Sequence, residues 1–288
     1  MSTVPSATRL LLVRHLWGAD ISVCLPAAAA AWRATGYEAL ETSIRHVPDP
    51  VVFRLLLKSE GWGWVAGAYT DMFRTDGSVN THLVSLREQI EECADDAPLL
   101  INSHSGLDRW SASEMEDFFG GALELEHQFG IPLTHETHRR RCLGTPWATA
   151  TVLAKFPSLK LTADLSHWVC VCERLLEDFN DLLSQVARQT WHVHARVGHE
   201  QGPQVPDPRV PEWAPQLAAH EAWWDRIWSA QRERSQPVST LTPEFGPPPY
   251  LWTWPHTRAP AADLPAVCDW MALRQRLRFR SSIMMSAL

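Results

Sequence analysis

Paired cysteines, membrane-length apolar runs and an excess of basic charge are all missing from this chain of 288 residues. Its six cysteines form no spaced framework, and Cys170 and Cys172 stand too close together for the usual two-residue metal knuckle. They predict free thiols in a reducing compartment. No stretch of about 18 apolar residues occurs, and the early apolar run at residues 10–13 is shorter than the core of a signal peptide. We therefore expect a soluble, cytoplasmic protein without a membrane partner.

The balance of charge is acidic, with a formal net charge of −7. A protein that neutralises nucleic-acid phosphates over a broad surface is usually basic. The consecutive Arg139, Arg140 and Arg141 form either a local basic patch or a solvated loop. The composition therefore predicts no nucleic-acid partner, and a small-molecule substrate is the better expectation.

A glycine-rich dinucleotide fingerprint is also absent after the first predicted strand, which argues against a doubly wound open sheet. Eight strand-like segments, each followed by a helix-like segment, cover residues 10–17, 37–41, 62–70, 98–103, 131–136, 159–164, 190–194 and 238–244. Such units without a break in composition predict a single α/β domain over residues 1–288, a (β/α)₈ TIM barrel. Long loops are expected at about 196–215 and 245–258.

One of the predicted helices has specific local signals at both of its ends. The helix over residues 113–129 opens on the capping pair Ser113 and Glu116 and closes at Gly130. Residues 172–186 are predicted as one further helix.

Polar side chains close several of the predicted strands. Glu136 and Asp164 end the fifth and sixth strands, His194 ends the seventh, and Glu244 ends the eighth. All strand C-termini of a parallel barrel lie at one rim, so these side chains can meet although they are distant in sequence. Three carboxylates and one imidazole suit one divalent ion, Mn²⁺ first, then Mg²⁺, Co²⁺ or Zn²⁺. An acid after a strand also commonly caps the next helix, which is the simpler interpretation of any one of them.

Two histidines compete for the place of the imidazole ligand. His192 and His194 lie on the same face of the seventh predicted strand because side chains alternate along a strand. His194 lies nearer the rim and is the predicted ligand. His192 is predicted to pack in the core, or to contact a metal-binding side chain without binding the metal itself.

The runs HETH, ADLSHW, HVHAR and TPEFGP resemble the sugar phosphate isomerase/epimerase superfamily, the xylose isomerase-like TIM barrels. The resemblance covers the fifth to eighth strands by motif and the N-terminal third only by its rhythm of strands and helices. In the ketose epimerase branch, residues at the positions of Glu136, Asp164, His194 and Glu244 bind one metal ion. The resemblance further implies that His167 contacts substrate oxygens and that the two glutamates act as paired acid and base.

The function that this resemblance implies is a metal-dependent isomerase or epimerase acting on a sugar or related hydroxyketone through an enediolate. Return of the proton to the neighbouring carbon is isomerisation, and return to the same carbon from the opposite face is epimerisation. Loss of a β-hydroxyl group is dehydration, so a metal-dependent lyase or dehydratase is the alternative. A three-zinc nuclease of the endonuclease IV branch is disfavoured because no Asp-x-His run follows His194. A non-catalytic binding barrel is a further class.

Further residues near the predicted rim are candidates for substrate binding. They are Arg196, His199, His104 and Trp17. An arginine there can bind a carboxylate or phosphate through two hydrogen bonds, or form a salt bridge within the rim. His15, Glu41 and Asp71 are rim candidates by position alone. By analogy with related barrels, a homodimer or homotetramer is expected.

Overall fold

The computed structural model of the protein describes residues 8–19, 21, 25–70 and 77–286. Its described strands form a closed parallel barrel in chain order, which confirms the predicted TIM-barrel fold. Asp71 lies outside the described residues. The strands are β1 (Arg9–His15), β2 (Ala39–Thr42), β3 (Gly63–Tyr69), β4 (Leu100–His104), β5 (Leu133–Glu136), β6 (Lys160–Ala163), β7 (Thr190–His194) and β8 (Val238–Thr242).

Helices connect the strands and cover the outside of the barrel. In the described chain they are α1 (Leu25–Thr35), α2 (Pro50–Glu60), α3 (Val79–Ala94), α4 (Ala112–Phe129), α5 (Pro146–Lys155), α6 (Ser166–Cys172), α7 (Asn180–Gln189), α8 (Ala214–Glu233) and α9 (Leu264–Ser286). The predicted long loops lie between β7 and α8 and between β8 and α9. No helix among these is both long and apolar enough to cross a bilayer.

The start of α4 differs from the predicted one. Ser111, not Ser113, is the N-cap, and it forms a capping box with Glu114. The sequence SASEME contains two overlapping Ser-x-x-Glu patterns, and the chain uses the earlier one. The helix ends as predicted at Gly130, whose φ of 66° lies in the left-handed region.

The single helix predicted over residues 172–186 is wrong. Helix α6 already begins at Ser166 and ends at Cys172, and Glu173 follows in the left-handed conformation with φ 51°. Helix α7 begins only at Asn180. An acidic residue in that conformation carries no sequence signal comparable to a glycine, so the break between α6 and α7 was not predictable from the pattern.

The inside of the barrel is divided into an apolar and a polar layer. The apolar layer lies toward the N-terminal ends of the strands and contains Leu11, Val13, Ala39, Val65 and Leu100. Side chains two positions further along a strand point to the same side. On β2 and β4 these are Glu41 and Asn102, both buried. The same alternation that fills the bottom of the barrel therefore brings polar side chains to its C-terminal end.

Candidate metal centre at the barrel rim

Four polar side chains from separate strands meet at the C-terminal end of the barrel. Glu136 and His194 are the last residues of β5 and β7, whereas Asp164 and Glu244 follow the ends of β6 and β8. The prediction that each residue closes its strand is therefore correct for two of them only. All four are buried, and each offers one ligand atom within 4.8 Å of the others. We call this set the rim cluster.

The ligand atoms of the rim cluster converge around His194 Nδ1. His194 Nδ1 lies 2.9 Å from Glu244 Oε2, 3.7 Å from Glu136 Oε2 and 3.9 Å from Asp164 Oδ2. Even so, His194 Nδ1, Glu244 Oε2 and Glu136 Oε1 have no aligned hydrogen-bond partner. Buried polar atoms are normally satisfied, so these atoms fit a divalent cation, whose preferred donors are oxygen and imidazole nitrogen.

A fourth acidic side chain, Glu41, lies behind the rim cluster and orients its histidine. Glu41 Oε1 is 2.9 Å from His194 Nε2 and 3.3 Å from Asn102 Nδ2. Its other oxygen is 3.2 Å from His192 Nε2 and 2.5 Å from Thr242 Oγ1. A carboxylate can only accept, so His194 donates from Nε2 and presents Nδ1 to the rim cluster.

The position of His192 agrees with a supporting role. It is fully buried, and its Nδ1 lies 2.7 Å from Thr240 Oγ1 while its Nε2 faces Glu41. Burial alone would raise the pKa of Glu41, but His194 and His192 hold that pKa well below its ordinary value. Glu41 is therefore an anion beneath the rim cluster. Sequence position had marked it only as a rim candidate.

Two members of the rim cluster, His194 and Asp164, bind protons more tightly than they would in water. Burial opposes a charge on His194, yet the surrounding carboxylates of Glu244, Glu41 and Glu136 raise its pKa well above the usual value. Burial raises the pKa of Asp164 to about 6 in spite of the neighbouring arginine. The pKa of Glu244 falls to about 2 because His194 and Arg196 outweigh its burial. A divalent ion would take over the charge that a protonated His194 now supplies.

Arg196 lies at the edge of the rim cluster and is almost fully buried. Its Nη2 donates to Asp164 Oδ2 and lies 3.3 Å from Glu244 Oε2. The same nitrogen is 2.8 Å from His167 Nε2, which must be the acceptor because a guanidinium only donates. Of the two interpretations left open by the sequence, the structure contains the salt bridge. The guanidinium also lies 5.0 Å from the ring centroid of Tyr250.

Three histidine rings follow one another beside the rim cluster. The ring centroids of His104 and His138 are 4.4 Å apart, and those of His138 and His167 are 3.9 Å apart. His104 Nε2 lies 2.8 Å from Glu136 Oε2. His138 Nδ1 is 2.6 Å from the carbonyl oxygen of Arg139, so it donates and leaves Nε2 as the acceptor. Burial lowers the pKa of His138 to about 3, which keeps the ring neutral.

A cavity of about 500 Å³ opens above the rim cluster. This volume lies within the range of small-molecule sites. The described residues that border it include His15, Trp17, Tyr69, His104, His138, Arg196, Glu244 and Tyr250. Glu136 and His167 are not among them. Of the proposed acid and base pair, only Glu244 therefore faces this space.

The predicted substrate-binding residues are distributed unequally around this cavity. His104, Arg196 and Trp17 border it, and the ring of Trp17 meets that of Tyr250 edge-on at 5.0 Å. His167 is fully buried behind Arg196. His199 lies outside and packs against Trp213, with ring centroids 5.1 Å apart. His138, to which the sequence assigns no role, lies two positions after Glu136 in the HETH run and borders the cavity.

Comparisons with known proteins identify the fold and no family. No model of a protein family and no curated protein matches this sequence. Among solved structures, the chain is similar to the crystal structure of the probable 3-DHS dehydratase AsbF involved in petrobactin synthesis from Bacillus anthracis. The TM-score is 0.57 at 14% identity, over 92% of this chain and 97% of that one. A chitinase from Chromobacterium violaceum ATCC 12472 gives a TM-score of 0.40 at 11% identity, over 80% and 67% of the two chains. The first likeness extends the barrel fold over nearly the whole chain.

Proposed function

We propose that this protein is a divalent-metal-dependent enzyme that moves a proton at the carbon next to a carbonyl group. Its substrate would be a sugar or a related hydroxyketone. The observation that carries the proposal is the rim cluster, whose four ligand atoms lie within 4.8 Å of one another below an open cavity. When bound, the ion supplies Lewis-acid polarisation of the substrate carbonyl. Mn²⁺ is the proposed ion, and Mg²⁺, Co²⁺ and Zn²⁺ suit the same donors.

The proton itself needs a base that reaches the substrate. Glu244 borders the cavity, and its lowered pKa keeps it ionised. Glu136 is paired with His104 and does not border the cavity. We therefore assign the second proton-transfer role to His138, whose neutral ring borders the cavity and has an accepting Nε2. Glu136 is assigned to metal binding.

Isomerisation or epimerisation is the proposed outcome. Epimerisation needs only removal and return of a carbon-bound proton by these two groups, and isomerisation also moves a hydroxyl proton from one substrate oxygen to the neighbouring one. Dehydration is the second candidate. It is favoured by the likeness to a structure described as a probable 3-DHS dehydratase, and by the pair formed by His138 and His104, which could serve as base and acid for loss of a hydroxyl group. The two outcomes differ in whether water is lost from the carbon skeleton.

A single set of reactions tests the proposal. The purified protein with Mn²⁺ would be incubated in D₂O with a panel of ketoses and cyclic hydroxyketo acids and followed by NMR. Deuterium at a substrate carbon, with the skeleton retained, supports isomerisation or epimerisation, and a new carbon–carbon double bond supports dehydration. His138→Gln should reduce the exchange by about 10²- to 10⁴-fold, and Glu244→Gln should abolish it. If no substrate exchanges with wild-type protein that has been shown to bind metal, the proton-transfer proposal is overturned.

A further inference from the structure

A second cavity of about 580 Å³ lies beside the one above the rim cluster. The two share Tyr250, and Arg139 of the second cavity directly follows His138 of the first. The loops after β5, β7 and β8 supply its walls. The described residues that line it include Arg139, His199, Trp213, Tyr250 and Trp252. We call this space the distal subsite.

The described wall of the distal subsite carries one positive side chain, and Glu200, which acts electrostatically on His199, is not part of that wall. Among the described residues that line it, Arg139 is the one ionised side chain, and there is no carboxylate. His199 adds no charge because burial lowers its pKa. The whole chain, in contrast, has a net charge of −7. A positive recess in an acidic protein attracts an anion, and the planar guanidinium of an arginine matches a carboxylate.

Aromatic rings form the rest of the wall. Trp252 is 48% exposed and belongs to the loop between β8 and α9. Its ring stands at 88° to that of Trp213, with centroids 6.2 Å apart, and at 77° to that of His199. These edge-on contacts pack one side of Trp252 against its neighbours. A half-exposed indole is suited to stacking against a ring.

We propose that the distal subsite binds a ring that carries a carboxylate, with the carboxylate on Arg139 and the ring against Trp252. The proposal rests on the proposed function, because the ring would be the remote part of the substrate whose carbonyl lies above the rim cluster. Binding of the remote part would position the reacting part. The substrate class is thus narrowed to hydroxyketones that bear a cyclic or aromatic acid.

The test uses benzoate as the probe, with benzyl alcohol as its uncharged counterpart. The full-length, metal-loaded protein would be labelled at the tryptophan indoles with ¹⁵N and titrated with each compound by NMR. The Trp252 signal is assigned with Trp252→Phe. Benzoate should shift the indole signals of Trp252 and Trp213 and should bind about tenfold more tightly than benzyl alcohol, as expected for one charge-assisted contact.

Substitution of the arginines supplies the matched comparison. Arg139→Gln should weaken benzoate binding about tenfold and leave benzyl alcohol binding unchanged. Arg140→Gln removes the same charge from the exposed neighbouring residue, which does not line the distal subsite, and should change neither. Equal benzoate affinity in Arg139→Gln and wild type, or the absence of any shift at Trp252 and Trp213, would overturn the proposal.

The proposed function and the proposed distal subsite can be refuted independently of each other. Arg139 and Arg140 lie outside the rim cluster, so neither substitution should change the metal content. Metal content is measured on the same samples. A wild-type protein that binds benzoate but no metal would refute the proposed function and leave the distal subsite as a binding site. A protein that binds metal but no benzoate would refute the distal subsite alone.

Discussion

Glu41 Oε1 lies 2.9 Å from His194 Nε2, although the two residues are 153 positions apart in the chain. The contact joins β2 to β7 across the inside of the barrel. It fixes which nitrogen of the imidazole carries hydrogen and therefore which one is presented to the rim cluster. A histidine held in this way has Nε2 fixed as a donor and Nδ1 directed toward the other members of the rim cluster.

Replacing Glu41 with glutamine should weaken metal binding by roughly 10- to 100-fold, the usual effect of losing such a supporting carboxylate. Four donors face the Glu41 carboxylate, and a single amide oxygen cannot accept from all of them. Isothermal titration of the metal-free variant with Mn²⁺ measures the change. Glu38→Gln, at an exposed surface ion pair with Arg9, is the control and should bind as wild type. Unchanged affinity in Glu41→Gln would contradict the orienting role. Glu41, His192 and His194 also lie close enough to hold an ion themselves. A wild-type protein that binds two ions, and a Glu41→Gln variant that binds one, would therefore contradict the orienting role as well.

Metal affinity should rise with pH across the range around 6. In the metal-free protein His194 has a raised pKa and Asp164 has a pKa of about 6. Both groups must release protons to bind an ion, so protons compete more strongly as the pH falls through these values. Titrations at pH 5.5 and 7.5, each in two buffers of different ionisation enthalpy, give the affinity and the number of protons released. An affinity that does not depend on pH would show that the ion binds elsewhere.

Arg196→Met should destabilise the metal-free protein by about 3–5 kcal/mol, the cost of leaving a buried charge without its partner. The arginine now compensates the carboxylates of Asp164 and Glu244. Denaturant unfolding in the presence of a chelator measures the loss. Added Mn²⁺ should stabilise this variant more than wild type, because the ion replaces the missing positive charge. Arg209→Met removes an exposed ion pair with Asp207 and should cost less than about 1 kcal/mol. Similar losses in the two variants would contradict the account.

His138→Gln should keep the bound metal and reduce solvent-hydrogen exchange by about 10²- to 10⁴-fold, the usual contribution of a general base. The ring borders the cavity and is not one of the four rim-cluster residues. Because His138, His104 and Glu136 also lie close enough to hold an ion, loss of metal in His138→Gln would show that the ion binds there instead. Metal analysis and exchange rates are measured on the same preparation. His127→Gln, on the exposed side of α4, is the control. Full activity in His138→Gln would return the base role to Glu136.

The barrel and the rim cluster were accessible from sequence because both depend on local patterns. Alternating apolar residues mark each strand, and a polar residue at its end must lie at the common rim once the barrel closes. Glu136, Asp164, His194 and Glu244 are brought together in this way. The choice between His192 and His194 needed only one further fact, the direction in which each ring points.

The remaining features depend on contacts between distant segments. The Glu41 contact, the burial of His167 behind Arg196, and the separation of Glu136 from the cavity all arise from side chains of different strands. No local pattern encodes such distances. The break after α6 was missed for a different reason, because Glu173 adopts a left-handed conformation that its residue type does not predict.

Metal content and position, measured on one crystal grown with Mn²⁺ and recorded at the manganese absorption edge, test the central claim most directly. The account predicts one anomalous peak per chain, coordinated by Glu136, Asp164, His194 Nδ1 and Glu244, with Glu41 still bonded to His194 Nε2. A crystal with no manganese peak at the rim cluster, or with the ion held by other residues, would contradict it.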